Sequence, residues 1–156
     1  MTGVTKLVPV FLFIASAAVA QNADDQAIRN YTLTMDKVVR YDAGARALES
    51  AMNSNPQIMA ARQKMARQFA GTPRALEARL DRFPQIEAYF TKEGLTRDDA
   101  ALIPLVLGNA CLAGSQPQFA KALVYSEAQV QFCKDNQVAL QKLRIFARVR
   151  PTPPKR

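Results

Sequence analysis

Residues 101–114 read ALIPLVLGNACLAG, the most apolar stretch of the chain after its first twenty residues. Asp99 bounds the run on one side and Gly114 closes it on the other, which leaves about 14 apolar residues where a bilayer crossing needs roughly 20. It is apolar on nearly all sides. A helix without a polar face belongs inside a globular core, so the other elements must be built around it. Thr96 with Asp99 three residues on forms a capping box, Asp standing where Glu is usual. Asp98 and Asp99 fall in the first turn, where the helix dipole favours negative charge. The pattern predicts a central helix over 97–113, with a bend where Pro104 falls.

Cap and turn signals divide the rest. Thr34 is an N-cap, and Leu33 is placed to staple onto Val38. Val38, Tyr41, Ala45, Leu48 and Met52 then recur at spacings of three and four, one apolar face of a helix. Gly44 costs this helix some propensity, which a close approach by another helix would explain. Asn55-Pro56 opens a second helix with Ile58, Met65 and Phe69 on its face, ended by Gly71. Thr72-Pro73 repeats the device before Leu76, Leu80 and Phe83. Pro84 predicts a kink or a fresh start, and Ile86 and Phe90 continue the apolar face to Gly94. Pro117 opens the last part. Ser126 with Gln129 is a second capping box, so 117–125 and 127–147 read as two helices or one bent one. No strand pattern of convincing length and no fixed-period repeat is visible. The expectation is an all-α compact bundle of about five or six helices around 97–113, after an N-terminal signal peptide.

That signal is read from MTGVTKLVPVFLFIASAAVAQN. Lys6 supplies a charge, Leu7 to Ile14 an apolar core broken by Pro9, and Ala18-Val19-Ala20 the small-residue cleavage pattern. Cleavage after Ala20 places the mature chain in the periplasm or outside the cell. It leaves 136 residues, 20 of them Lys or Arg against 13 Asp or Glu, a net charge of +7. The organisation expected is a signal peptide at 1–20, a flexible segment at 21–33, a single helical domain at 34–147 and a basic, proline-rich, disordered tail at 148–156. The mature chain has no segment able to span a membrane.

Cys111 and Cys133 are an even pair in a chain read as exported, which predicts a disulfide. With no histidine, two cysteines leave a zinc site short of ligands, and no metal or cofactor is expected. The missing histidine also removes the commonest general base. No P-loop, dinucleotide-binding or nucleophile-elbow pattern is present, so no residue reads as catalytic. Capping accounts for Asp98-Asp99 better than catalysis does. Nucleic-acid binding is disfavoured, because the basic residues are not interleaved with stacking aromatics and the chain has no tryptophan.

Two groups of residues remain as binding candidates. Asn109 lies in the apolar helix and Asn136 near the inward face of the last one. Buried amides need partners, so they read either as a satisfied core hydrogen bond or as polar anchors of an apolar ligand pocket. Arg144, Arg148, Arg150, Lys155 and Arg156 follow the last acidic residue, Asp135, and are suited to an anionic surface or an envelope protein. The function expected is non-enzymatic binding or interaction. The alternatives are a carrier of a small apolar ligand in the helical core, and association with the cell envelope through the basic tail.

Overall fold

A computed structural model describes residues 12–68 and 71–147. These form nine α-helices and one 3-10 helix, with no strand among the described residues. In chain order the helices are α1 (Leu12–Asn30), α2 (Met35–Ser54), α3 (Pro56–Ala66), α4 (Pro73–Arg82), α5 (Pro84–Thr91) and α6 (Arg97–Ser115). The 3-10 helix Pro117–Ala122 follows, then α7 (Glu127–Asp135), α8 (Gln137–Lys142) and α9 (Arg144–Ala147). None is long and apolar enough to cross a membrane.

The caps form where the side chains that make them stand. Thr34 accepts from the Lys37 amide, Asn55 from the amides of Gln57 and Ile58, and Thr72 from that of Ala75. Proline occupies the first turn of α3, α4 and α5, where its missing N–H has no intrahelical acceptor to lose. After α5, Gly94 adopts a left-handed φ of 79°. That conformation lets the Leu95 amide reach back to the Phe90 carbonyl at 3.3 Å and close the helix. Both capping boxes, Thr96/Asp99 and Ser126/Gln129, are complete.

The expected count of five or six helices is too low. The excess arises at prolines that restart the helix and in the last part of the chain, which breaks into short pieces. Pro84 is a fresh start, which separates α4 from α5. Pro117 begins a 3-10 helix, and its end at extended Leu123 leaves a connection into α7. The stretch 127–147 becomes three short helices. The Asn136 side chain donates to the Phe132 carbonyl at 2.9 Å as α7 ends, and Leu143 is extended. The Leu143 break lets the Ile145 amide donate to the buried Asp42 carboxylate at 3.0 Å, which docks α9 on α2. Residues 21–30, read from sequence as flexible, are the final turns of α1, and the expected cleavage point after Ala20 falls within that helix. Ile28 is buried there, and the Gln129 amide from α7 donates to the carbonyls of Ile28 (2.7 Å) and Tyr31 (2.8 Å).

α6 is shared by two apolar clusters. Ala100, Ala101 and Ile103 face one cluster with Leu48, Leu80 and Ile86. Leu102, Val106, Leu107, Ala110 and Ala113 face another with Ile28, Val38 and Val130. Gly44 is the close approach anticipated between α2 and α5. A Cβ there would lie 2.8 Å from the Tyr89 carbonyl oxygen.

Candidate functional site

A cleft of about 880 Å³ opens between α2, α3, α4 and α6, with α5 and α9 completing its walls. Ligand clefts typically occupy about 300–1,000 Å³. The apolar part of its wall includes Met52, Met65, Leu76, Leu80, Ile103 and Leu105. Each lies on a helix face set by three-four spacing, and their side chains join one core cluster from four different helices. On α6 the wall continues through Pro104 and Gly108, one turn apart. Gly108 is exposed, and a Cβ built on it meets no atom within 4 Å. A glycine in mid-helix costs about 1 kcal/mol relative to alanine. No neighbouring helix requires one at 108, and its effect is to leave the cleft open.

Four arginines and two carboxylates share the cleft wall. Asp42 pairs with Arg46 one turn along α2. Glu49 pairs with Arg144 through two contacts, 3.0 and 3.1 Å. Arg62 and Arg79 are left without a carboxylate among the described residues. Arg79 Nη1 donates to the carbonyls of Met65 (3.3 Å) and Gln68 (2.9 Å), tying α4 to the end of α3. Its Nε is buried and has no hydrogen-bond partner. An orphaned buried donor costs about 1–3 kcal/mol. Burial lowers the Arg79 pKa from its ordinary value, and the nearby Arg62 charge adds to this. Tyr41, stacked on Phe90 with ring centroids 4.9 Å apart, lines the same cleft. Burial pushes its phenol up to about 12, against the opposing pull of Arg62 and Arg79. The cleft therefore joins an apolar wall to two cations lacking counter-charges.

The carboxylate most perturbed by its surroundings lies elsewhere and serves the fold. Asp99 Oδ1 accepts from the Tyr31 hydroxyl at 2.6 Å and from Lys37 Nζ at 2.8 Å, and Oδ2 accepts from the Thr96 amide at 3.1 Å. Burial opposes its ionisation, but these donors outweigh burial and hold the carboxyl well below the usual carboxylate range. Burial and the hydrogen bond to Asp99 raise the Tyr31 pKa in turn. The cluster clamps the chain between α1 and α2 onto the start of α6, with both carboxylate oxygens occupied.

Of the residues singled out in the sequence, the cysteines pair as expected, while the two asparagines stand apart from each other. Cys111 and Cys133 form a disulfide with Cα atoms 5.3 Å apart, joining α6 to α7. Asn109 and Asn136 are not brought together. Asn109 Nδ2 donates to the Val124 carbonyl at 2.9 Å, and Asn136 binds within its own helix, so neither lines the cleft. Arg144 is held by Glu49 at the cleft, while Arg148, Arg150, Lys155 and Arg156 lie outside the described residues. Lys6 and Pro9 of the expected signal lie outside them as well. Arg62 and Arg79 escaped sequence reading. Their only signal was the basic character of the third and fourth helices, which any solvated face would share. Among the described residues no group of three or more His, Cys, Asp or Glu could hold a metal ion.

Fold and cleft together define an all-α, disulfide-bonded domain with an arginine-bearing apolar groove. No family model, no curated protein and no solved structure matches the chain.

Proposed function

We propose that this protein is a non-enzymatic carrier that holds a small, largely apolar ligand in the cleft between α2, α3, α4 and α6. The observation that carries this reading is the apolar wall of an approximately 880 Å³ opening, kept clear by Gly108. The ligand occupies the groove walled on α6 by Ile103, Pro104, Leu105 and Gly108, and Asn109 has no part in holding it. Export is part of the proposal. The charged, apolar and small-residue order of residues 1–20 supports it, and so does a disulfide, which persists in oxidising compartments.

The test is a fluorescence titration with N-phenyl-1-naphthylamine, an uncharged probe that brightens in apolar surroundings. Saturable binding at one site is expected. Gly108→Trp projects a bulky ring at the cleft wall from a position where an added Cβ meets no atom within 4 Å, so it should abolish binding while helicity by circular dichroism is kept. Absence of saturable binding by the wild type, or equal binding by the two proteins, overturns the reading.

A further inference from the structure

We infer that the ligand of this cleft is a single-chain amphiphile ending in a carboxylate, with the carboxylate held between Arg62 and Arg79 and the chain lying along α6 toward Gly108. The inference rests on the cleft being a ligand site, and it adds the chemistry of the head group.

Charge sets the sign. Of the four arginines at the cleft, Arg46 and Arg144 are matched by Asp42 and Glu49. The other two line the same cleft, near enough for the Arg62 charge to act on Arg79. Arg79 reaches the Met65 carbonyl on α3, and Arg62 stands three residues earlier on that helix. Two positive charges gathered without a carboxylate repel each other, and an anion bound between them removes that repulsion. Position sets the shape. Arg79 spends Nη1 on backbone carbonyls, while its Nε has no partner. Nε is enclosed by protein, so what the anchored guanidinium offers the cleft is its fixed positive charge, which a carboxylate pairs with. Beyond the arginines the wall is Met52, Met65, Leu105 and the bare face of Gly108, which offers apolar surface to an alkyl chain. The chain's own C-terminal residues, with Arg148, Arg150, Lys155 and Arg156, carry the wrong sign for this place.

Displacement of N-phenyl-1-naphthylamine by four probes of one chain length tests the inference: laurate, dodecanol, dodecyl phosphate and dodecyltrimethylammonium. Laurate should displace the dye at a concentration about ten-fold below that of dodecanol, the effect of one charge-assisted hydrogen bond. Arg62→Gln should remove this preference, so that laurate displaces the dye at the concentration dodecanol requires. Among the described residues Arg62 has no carboxylate partner to lose, so the denaturation midpoint of the variant should stay at the wild-type value. Arg79→Lys keeps the charge and removes the guanidinium anchored on backbone carbonyls, and should weaken laurate more than dodecanol. Equal affinity for laurate and dodecanol overturns the head-group assignment and leaves the apolar carrier standing. Tighter binding of dodecyl phosphate, or of the cationic probe, also overturns it. Failure of every probe to displace the dye, or of the dye itself to bind, overturns both readings.

Discussion

The same substitution, glycine to alanine in the middle of a helix, should have opposite effects at two places in this molecule. At Gly108 the new methyl meets no atom within 4 Å. Only the helix-propensity gain remains, and Gly108→Ala should stabilise the protein by about 0.5–1 kcal/mol. At Gly44 the same gain is available, but the Cβ would stand 2.8 Å from the Tyr89 carbonyl oxygen, 3.0 Å from Phe90 Cδ1 and 3.3 Å from Phe90 Cα. Two of these three atoms are backbone, so the contact is relieved only if α2 and α5 separate. Overpacking of that kind costs about 1–3 kcal/mol. Less the propensity gain, Gly44→Ala should destabilise by about 1–2 kcal/mol, and the two variants should differ by roughly 2 kcal/mol. Urea denaturation followed by circular dichroism reads this as midpoints shifted in opposite directions with an unchanged slope. A Gly44→Ala midpoint at or above that of Gly108→Ala would refute the argument that close helix approach selects glycine at 44.

Asp99→Asn should cost about 2 kcal/mol near neutral pH, since the hydrogen bonds to the carboxylate charge from Lys37 and Tyr31 are weakened. The folded pKa of Asp99 lies below its unfolded value of about 3.9, so this contribution is fully present above that pH and lost as the pH falls through the folded pKa. Wild-type and variant midpoints should therefore converge in acid, and a gap that widens there would contradict the assignment. Reducing the Cys111–Cys133 bridge, which closes a loop of 22 residues, should lower stability by about 3 kcal/mol. Denaturation with and without dithiothreitol measures it, and coincident curves would remove the bridge from the stability account. Gln129→Leu should cost about 3 kcal/mol, because it strips the Ile28 and Tyr31 carbonyls of their donor and the Ser126 amide of its acceptor. Amide hydrogen exchange should then accelerate in residues 21–30 before the rest of the domain, and uniform acceleration would show that Gln129 does not anchor α1.

Local chemistry alone was enough for several features. Thr34, Asn55, Thr72, Thr96 and Ser126 mark helix starts because a hydroxyl or amide beside a free N–H acts within a few residues, whatever the rest of the chain does. The apolar run at 101–114 was legible as the central helix for the same local reason, having no polar face to offer water, although its Pro104–Gly108 side faces the cleft. The cysteine pair was legible from its parity. Tertiary structure decided whatever depended on a partner distant in sequence. Asp42 turns the chain at Leu143 by accepting from Ile145, 103 residues away. Gln129 was readable as half of a capping box, but its second hand reaches carbonyls about 100 residues back and orders a segment that looked flexible. Asn109 found a carbonyl instead of a pocket. The cleft was the least legible feature. Arg46 takes its carboxylate from Asp42 one turn back on the same helix, but Arg62 and Arg79 look in sequence like Arg144, and only packing brings Arg144 to Glu49 and leaves the other two at the cleft wall without one among the described residues. Periodicity tells which side chains share a helix face, whereas a counter-charge is set by which faces meet, and that is fixed only when the whole chain has packed.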